Sequence, residues 1–354
     1  MFCDRFDVWQ DHGHDNFDDV VSQYTFRTDP DGEVIHTGAQ KCRIEGSHST
    51  SIGVRAYGSV VSFDGNIGRF GRADNLDNFT VDETKYLINV LVESLGLPPF
   101  TGSSVNSTAP VISDHASDFG RNKESVYLGA KVVRIDLTEN FATGSRGDSL
   151  DYIRHLSTNN YGRQKTGIGG TGESIVIGEG SRFVYQKAYL KADELLAHKH
   201  KTGVPAELIS YCYRNGIVRY ELELKQACDR YGVRPWNNCT QSRCAEIFEK
   251  YRDKVMVESD VKREVELPKP QLKTLAMFKS GMNPRDHMSR ATWFHHRKII
   301  KDQTGIDISN VRSLNQEQVK VIRLRSVNVP PAFRPSVEVV ADRLRQAALE
   351  AKAA

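Results

Sequence analysis

From Phe183 to Tyr189 the side chains alternate with a period of two. Phe183, Tyr185, Lys187 and Tyr189 point one way and Val184, Gln186 and Ala188 the other, the pattern of a β-strand. At Ala192 the pattern becomes helical and runs on through Asp193, Glu194 and Leu195 to Ala197. Tyr189 and Lys191 therefore fall where a strand ends and a helix begins, with Glu194 in the first helical turn. Strand-like alternation recurs in Phe6–Trp9, Glu33–His36, Ser51–Tyr57 and Ser59–Phe63, the last two joined as a hairpin at Gly58. Over Lys131–Thr138 it puts Val133, Ile135 and Leu137 on one face and Arg134, Asp136 and Thr138 on the other. Over Ile217–Lys225 it puts Arg219, Glu221, Glu223 and Lys225 opposite Tyr220, Leu222 and Leu224.

Turn and cap residues divide these runs. Pro30-Asp31-Gly32 is a turn, and Thr80-Val81-Asp82-Glu83 is a capping box that opens a helix reaching about Ser94, before Gly96 and Pro98-Pro99. Residues 100–124 are rich in Ser, Thr and Asn without periodicity and read as loop, and glycines at 167, 169, 170 and 172 punctuate another. Helical patterns cover Asp148–Leu156 and residues 238–258, and after Pro268-Lys269-Pro270 two more, Leu272–Lys279 and Ser289–Asp302, flank a Gly281–Pro284 turn like a helix-turn-helix. The expected fold class is α+β: a central, largely antiparallel sheet with flanking helices, plus a smaller helical C-terminal domain. The domain reading is 1–258, comprising a β-rich segment 1–100 and a catalytic segment 125–258, followed by a helical domain 259–354.

Composition narrows the class. A chain of 354 residues, 39% hydrophobic and 26% charged, is a globular protein at the polar end. Net charge is only +3, so a polyanionic partner requires clustered rather than abundant positive charge. The six cysteines include no C-x-x-C pair and read as free thiols in a reducing compartment. The chain starts without an apolar signal core and has no apolar run of about 18 residues, so a cytoplasmic protein without a membrane partner is expected.

Three stretches hold candidate chemistry. Tyr189, Lys191 and Glu194 bring together a phenol, an ammonium and a carboxylate, which suits phosphoryl transfer: a nucleophile, a cation for phosphate charge and a ligand for a divalent metal. A strand edge with solvated Lys and Glu fits the same spacing. Asp136 and Glu221, from separate strands, are further candidate ligands for an oxygen-loving cation, Mg²⁺ or Mn²⁺. The glycine-rich loop Asp64–Asn75 carries Asn66, Arg69 and Arg72, where a backbone can approach a phosphate and arginine can fork onto it; a tight turn with solvated arginines fits equally. The run Ser289–Asp302 places Arg290, His295, Arg297, Lys298 and Lys301 on one helix, a candidate for a DNA groove or a solvated surface.

In order along the chain stand Glu45-Gly46-Ser47, Gly65-Asn66 with Arg69-Phe70 and Asn75, Gly96-Leu97-Pro98-Pro99-Phe100, and Arg134-Ile135-Asp136-Leu137. Tyr189-x-Lys191-x-x-Glu194-Leu195 and Arg219-Tyr220-Glu221 follow, then Leu267-Pro268, Thr292, His296-Arg297 and Gly305-Ile306-Asp307-Ile308. With these pieces the chain resembles the replication initiators of filamentous bacteriophages, the gene II family of rolling-circle nicking endonucleases. Its central motifs are also similar to plasmid rolling-circle initiators. The resemblance implies a tyrosine that nicks one strand of double-stranded origin DNA, forms a 5′-phosphotyrosine and later religates the displaced single strand, with a host helicase as partner. It implies Tyr189 as nucleophile with Lys191 beside it, Tyr185 as the rival nucleophile, and Asp136, Glu221 and Glu194 as metal ligands. Many rolling-circle nucleases hold their metal with a His-hydrophobe-His pair, and this chain has no good copy. The competing expectation is a non-catalytic helix-turn-helix regulator that binds DNA.

Overall fold

The structure is a computed structural model that describes residues 1–13, 17, 23–40, 42–102, 129–159, 161–169, 172–256, 267–304, 307–309 and 322–353. The loop read over residues 100–124 and the motif residues Gly305 and Ile306 lie wholly or largely outside the described residues.

The N-terminal strands are β1 (Phe2–Asp11), β2 (Gln23–Thr28), β3 (Val34–Gln40), β4 (Cys42–Gly46), β5 (Thr50–Tyr57) and β6 (Val60–Gly65), followed by helix α1 (Val81–Ser94). Strand β7 (Lys131–Ala142) leads to α2 (Arg146–Leu156), β8 (Thr166–Gly169), β9 (Ser174–Ile177) and β10 (Val184–Leu190). Then come α3 (Lys191–Thr202), α4 (Ala206–Asn215), β11 (Ile217–Leu224), α5 (Ala227–Arg230) and α6 (Gln241–Val255). The C-terminal elements are α7 (Lys269–Lys279), α8 (Arg290–Thr304), β12 (Arg325–Ser326) and α9 (Val337–Ala353).

The fold is α+β, as the pattern predicted. Nine strands form one sheet in the order β4-β5-β6-β1-β7-β11-β10-β9-β8, with β12 added against β7, and every pairing is antiparallel. Strand alternation sorts the side chains: Phe6, Val8, Val54, Phe63, Ile135, Leu137, Tyr220, Leu222 and Leu224 are fully or almost fully buried on one face. Against that face pack Leu87, Ile88 and Leu91 of α1, Tyr152 and Ile153 of α2, Ile247 and Phe248 of α6, and Val340 and Leu344 of α9 in one core. Helix α1 starts on the predicted capping box, with Thr80 and Glu83 bonded reciprocally. A second core, including Leu76, Leu195, Leu208, Cys212, Ile217 and Val329, lies under α3 and α4, and a third, small one joins α7 to α8.

Two bulges interrupt the pairing of β1 with β7, and both change which way a side chain points. Asp7 pairs with Arg134 and Val8 with Val132, which leaves Val133 as the extra residue. Val132 takes the core position and Val133 is 41% exposed, correcting the expectation that Val133 shares the buried face. The other bulge leaves Asp4 extra, between the pairs Cys3–Leu137 and Arg5–Asp136. Among the described residues, no helix is long and apolar enough to cross a membrane.

Candidate active site

Strands β10 and β11 run antiparallel, so on the sheet face away from the main core Tyr189 lies opposite Arg219, Lys187 opposite Glu221, and Tyr185 opposite Glu223. The Tyr189 hydroxyl donates to Glu221 Oε1 at 2.6 Å. Tyr189 is only 6% exposed, yet it belongs to none of the apolar cores; charged side chains surround its ring. Lys187 Nζ lies 4.4 Å from the ring centroid. Burial, and then the Glu221 carboxylate, push the Tyr189 hydroxyl well above its ordinary range, against the pull of Arg219. Burial and then Asp4 also push Glu221 upward. Tyr185, four residues earlier on the same face, is half-buried, and burial raises its hydroxyl too.

Lys191 opens α3 and is fully buried. Its Nζ donates to Glu194 Oε2 at 2.6 Å and to Asn75 Oδ1 at 2.7 Å. Burial, then the Arg219 guanidinium, lower the Lys191 pKa. Burial opposes ionisation of Glu194, but the adjacent ammonium outweighs it and holds that carboxyl below its usual value. Asn75 reaches Lys191 because Asp4 holds its other end: Asp4 Oδ1 accepts from Asn75 at 3.0 Å and from Asn66 at 2.9 Å. The bulge at Asp4 brings this carboxylate onto the glycine-rich loop. Arg219, with no exposed surface, donates to Asn140 Oδ1 at 2.9 Å and to the backbone carbonyls of Asn75 and Leu76, while its Nη1 has no partner among the described residues.

Of the residues expected at the site, the structure brings Tyr189, Lys191, Glu194 and Glu221 together as two contacting pairs. Asp4, Asn75, Lys187 and Arg219, which the sequence did not single out as site residues, join them in the cluster. Asp4 carries no sequence signal, since only a bulge turns it toward the loop; Arg219 lies in a quoted motif and on the right strand face.

The expected metal site is not assembled by these residues. Asp136 is held bidentately by Arg134, at 2.8 and 2.7 Å, and pairs across the strands with Glu223 rather than Glu221. Burial and the carboxylate of Glu223 push its pKa up to about 7 against the pull of Arg134. Glu194 is engaged by Lys191 and Glu221 by Tyr189. Among the described residues no three His, Cys, Asp or Glu side chains form a group able to hold a metal ion. The predicted ligands do not fit Mg²⁺ or Mn²⁺ in this arrangement.

The residues expected to meet DNA divide similarly. Asn66 caps the short 3₁₀ turn Ile67–Arg69 and bonds Asp4, and Arg69 Nε is buried without a partner among the described residues. Arg72 donates to the carbonyls of Gly68, Asp77 and Phe333 at 2.9, 3.0 and 3.1 Å, fastening the loop to the C-terminal segment. We expect Arg72→Ala to cost about 2–4 kcal/mol, since it leaves three carbonyls short of a donor. A urea midpoint checks this; unchanged stability with weakened DNA binding would instead assign Arg72 to the DNA. Arg297 bonds Asp307 at 2.7 Å through both arms and stacks on Trp293, whereas Lys298 is exposed.

A sequence model of the N-terminal region of the phage replication-associated protein, the gene II protein, matches residues 16–231. The chain belongs to this family. A relative named as a replication-associated protein of the gene II type, from Enterobacteria phage I2-2, is 26% identical over 326 residues, covering 86% of this chain and 85% of its own length. Another of the same name, from Escherichia phage If1, is 29% identical over 199 residues, covering 49% of this chain; the match spans 56% of that relative. The family match takes in β10, α3 and β11, with Tyr189, Lys191, Arg219 and Glu221, while Asp4 and helices α6 to α9 lie outside it. The gene II resemblance in the motifs and this family membership agree.

Proposed function

We propose that the protein initiates rolling-circle replication of a phage genome by nicking one strand of double-stranded origin DNA with Tyr189 and later rejoining the displaced single strand. The observation that carries the reading is the 2.6 Å hydrogen bond from Tyr189 to Glu221, a nucleophile already joined to a proton acceptor inside a charged cluster. Tyr189 Oη attacks the scissile phosphorus while its proton passes to Glu221. The bond to the 3′-oxygen breaks, and that oxygen leaves as a hydroxyl, taking up one proton in return. A 5′-phosphotyrosine and a free 3′-hydroxyl result, so the phosphodiester's energy is retained and the reverse step closes a strand without ATP. Burial raises the Glu221 pKa and makes it a stronger base, and the Arg219 charge favours the developing phenolate.

The partners of this reading are the double-stranded origin, the displaced single strand and a host helicase, in the bacterial cytoplasm. Its test is incubation with supercoiled origin DNA, in Mg²⁺, in Mn²⁺ and in EDTA, followed by a denaturing gel and peptide mass analysis. An adduct on the peptide containing Tyr189 is expected, and the three arms report the metal requirement. Strand cleavage without any covalent adduct would overturn the reading.

Exposed Lys298 on α8 supports a second DNA contact outside the cluster. Lys298→Ala is expected to flatten the dependence of log affinity on log salt by about 0.9, the amount for one phosphate. An unchanged slope in a binding titration removes α8 from the interface, and with it the competing regulator.

A further inference from the structure

We infer that Lys187, on strand β10, is the side chain that takes the charge of the scissile phosphate at Tyr189, and that Lys191 instead positions the site from within. This assignment rests on the reading of Tyr189 as the nucleophile.

The cluster holds three cations, and they differ in what they have left to offer. Lys191 and Arg219 are completely buried. Lys191 is taken up by Glu194 and Asn75, and Arg219 by Asn140 and two backbone carbonyls of the glycine-rich loop. Lys187 is half-buried, and its Nζ makes no hydrogen bond or ion pair with any described residue. Strand geometry places it two residues before Tyr189 on the same face and directly opposite Glu221. Its ammonium stands over the Tyr189 ring, 4.4 Å from the centroid, against 6.0 Å for Lys191.

A phosphodiester arriving from solvent therefore meets Lys187 before either buried cation. The charge that grows on the non-bridging oxygens during attack then faces an ammonium with all three donors free, the arrangement that favours a transition state over the ground state. Glu221, the cross-strand neighbour of Lys187, accepts the tyrosine proton, so the two side chains divide the work: proton removal by the carboxylate, phosphate charge by the ammonium. Lys191, by contrast, ties α3 to Asn75 and thereby to Asp4, and it acts through the geometry of the loop.

The experiment uses the full chain and an origin plasmid, reading the rate of covalent adduct formation alongside DNA affinity and thermal midpoint. Lys187→Met is expected to form adduct about 100-fold more slowly or worse, the effect of removing one charge-stabilising donor. Because the side chain is half-exposed, the thermal midpoint stays near that of the parent. Lys187→Cys is expected to be equally slow, and alkylation with 2-bromoethylammonium, which rebuilds a lysine-like ammonium, should restore the rate. Restoration of that kind is outside the reach of a packing role. A Lys187→Met protein with the parent's rate, or a Lys187→Cys protein that alkylation leaves slow, overturns the inference. Tyr189→Phe run in parallel separates the two levels. If it still forms adduct, the nucleophile assignment fails; if it forms none while Lys187→Met is fast, only the lysine assignment fails.

Discussion

Tyr189→Phe is expected to form no covalent DNA adduct, a loss of at least about 10⁴-fold in rate, because removal of a nucleophile leaves only background catalysis. The ring stays, and with it the contact to Lys187. What disappears is the hydroxyl and its bond to Glu221 Oε1, so a buried carboxylate oxygen loses a donor, at a cost of about 1–3 kcal/mol. Binding of origin DNA should persist, since it depends on contacts elsewhere. The decisive measurement pairs a denaturing gel for adduct with a binding titration on the same preparation. Tyr185→Phe is the control and should nick at the parent's rate. Should the adduct persist in Tyr189→Phe and vanish in Tyr185→Phe, the nucleophile moves four residues up the same strand face.

Glu221→Gln has the second-largest expected effect, a fall of about 10²–10⁴-fold in adduct formation, the range for a general base. Its pH dependence gives the sharper reading. Burial and Asp4 raise the Glu221 pKa above the ordinary 4.5, so the basic form needed by Tyr189 is lost as pH falls through that raised value. The parent's rate should therefore drop on the acid side at a pH above the usual carboxylate range, and Glu221→Gln should lack that limb. Stability moves the other way. A carboxyl whose folded pKa is raised holds its proton more tightly when folded, so its contribution is complete below the unfolded pKa and is lost as pH rises through the folded one. Glu221→Gln removes that loss, and its stability relative to the parent should improve as pH rises from the acid range to neutrality in urea titrations. An unchanged acid limb in Glu221→Gln would take the proton-acceptor role away from Glu221.

The two tests bear on one feature, a phenol hydrogen-bonded to a carboxylate within a sheet face that is polar although buried. Ordinary sheet cores exclude such groups, because burying an unpaired charge is costly. Here each buried charge has a partner: Lys191 has Glu194, Arg219 has Asn140 and two carbonyls, and Glu221 has Tyr189. Arg219 Nη1 alone of its donors has no partner among the described residues.

Alternation over Phe183–Tyr189 and Ile217–Lys225 was enough to draw β10 and β11 and to say which residues share a face, because a strand's period of two is a local property. The capping box at Thr80 placed the start of α1 for the same reason. Alternation failed at Val133, where one extra residue in β7 shifts the register and turns the side chain outward; a bulge answers to the neighbouring strand, which local sequence does not contain. The sequence reading drew no helix at α4 and covered α9 only as part of a helical segment 259–354. Helix α9 packs into the main core beside α1 although the two lie far apart in sequence.

By itself, then, the sequence determined the α+β class, the strand-to-helix junction at Tyr189 and Lys191, and the family. Tertiary structure alone decided which charges meet. It set Tyr189 on Glu221, closed Lys191 inside, drew Asp4 to Asn75 through a bulge, tied Asp136 to Arg134, and left Lys187 facing out. Those pairings span from 2 to 116 residues of separation and depend on strand register, which the whole sheet sets at once.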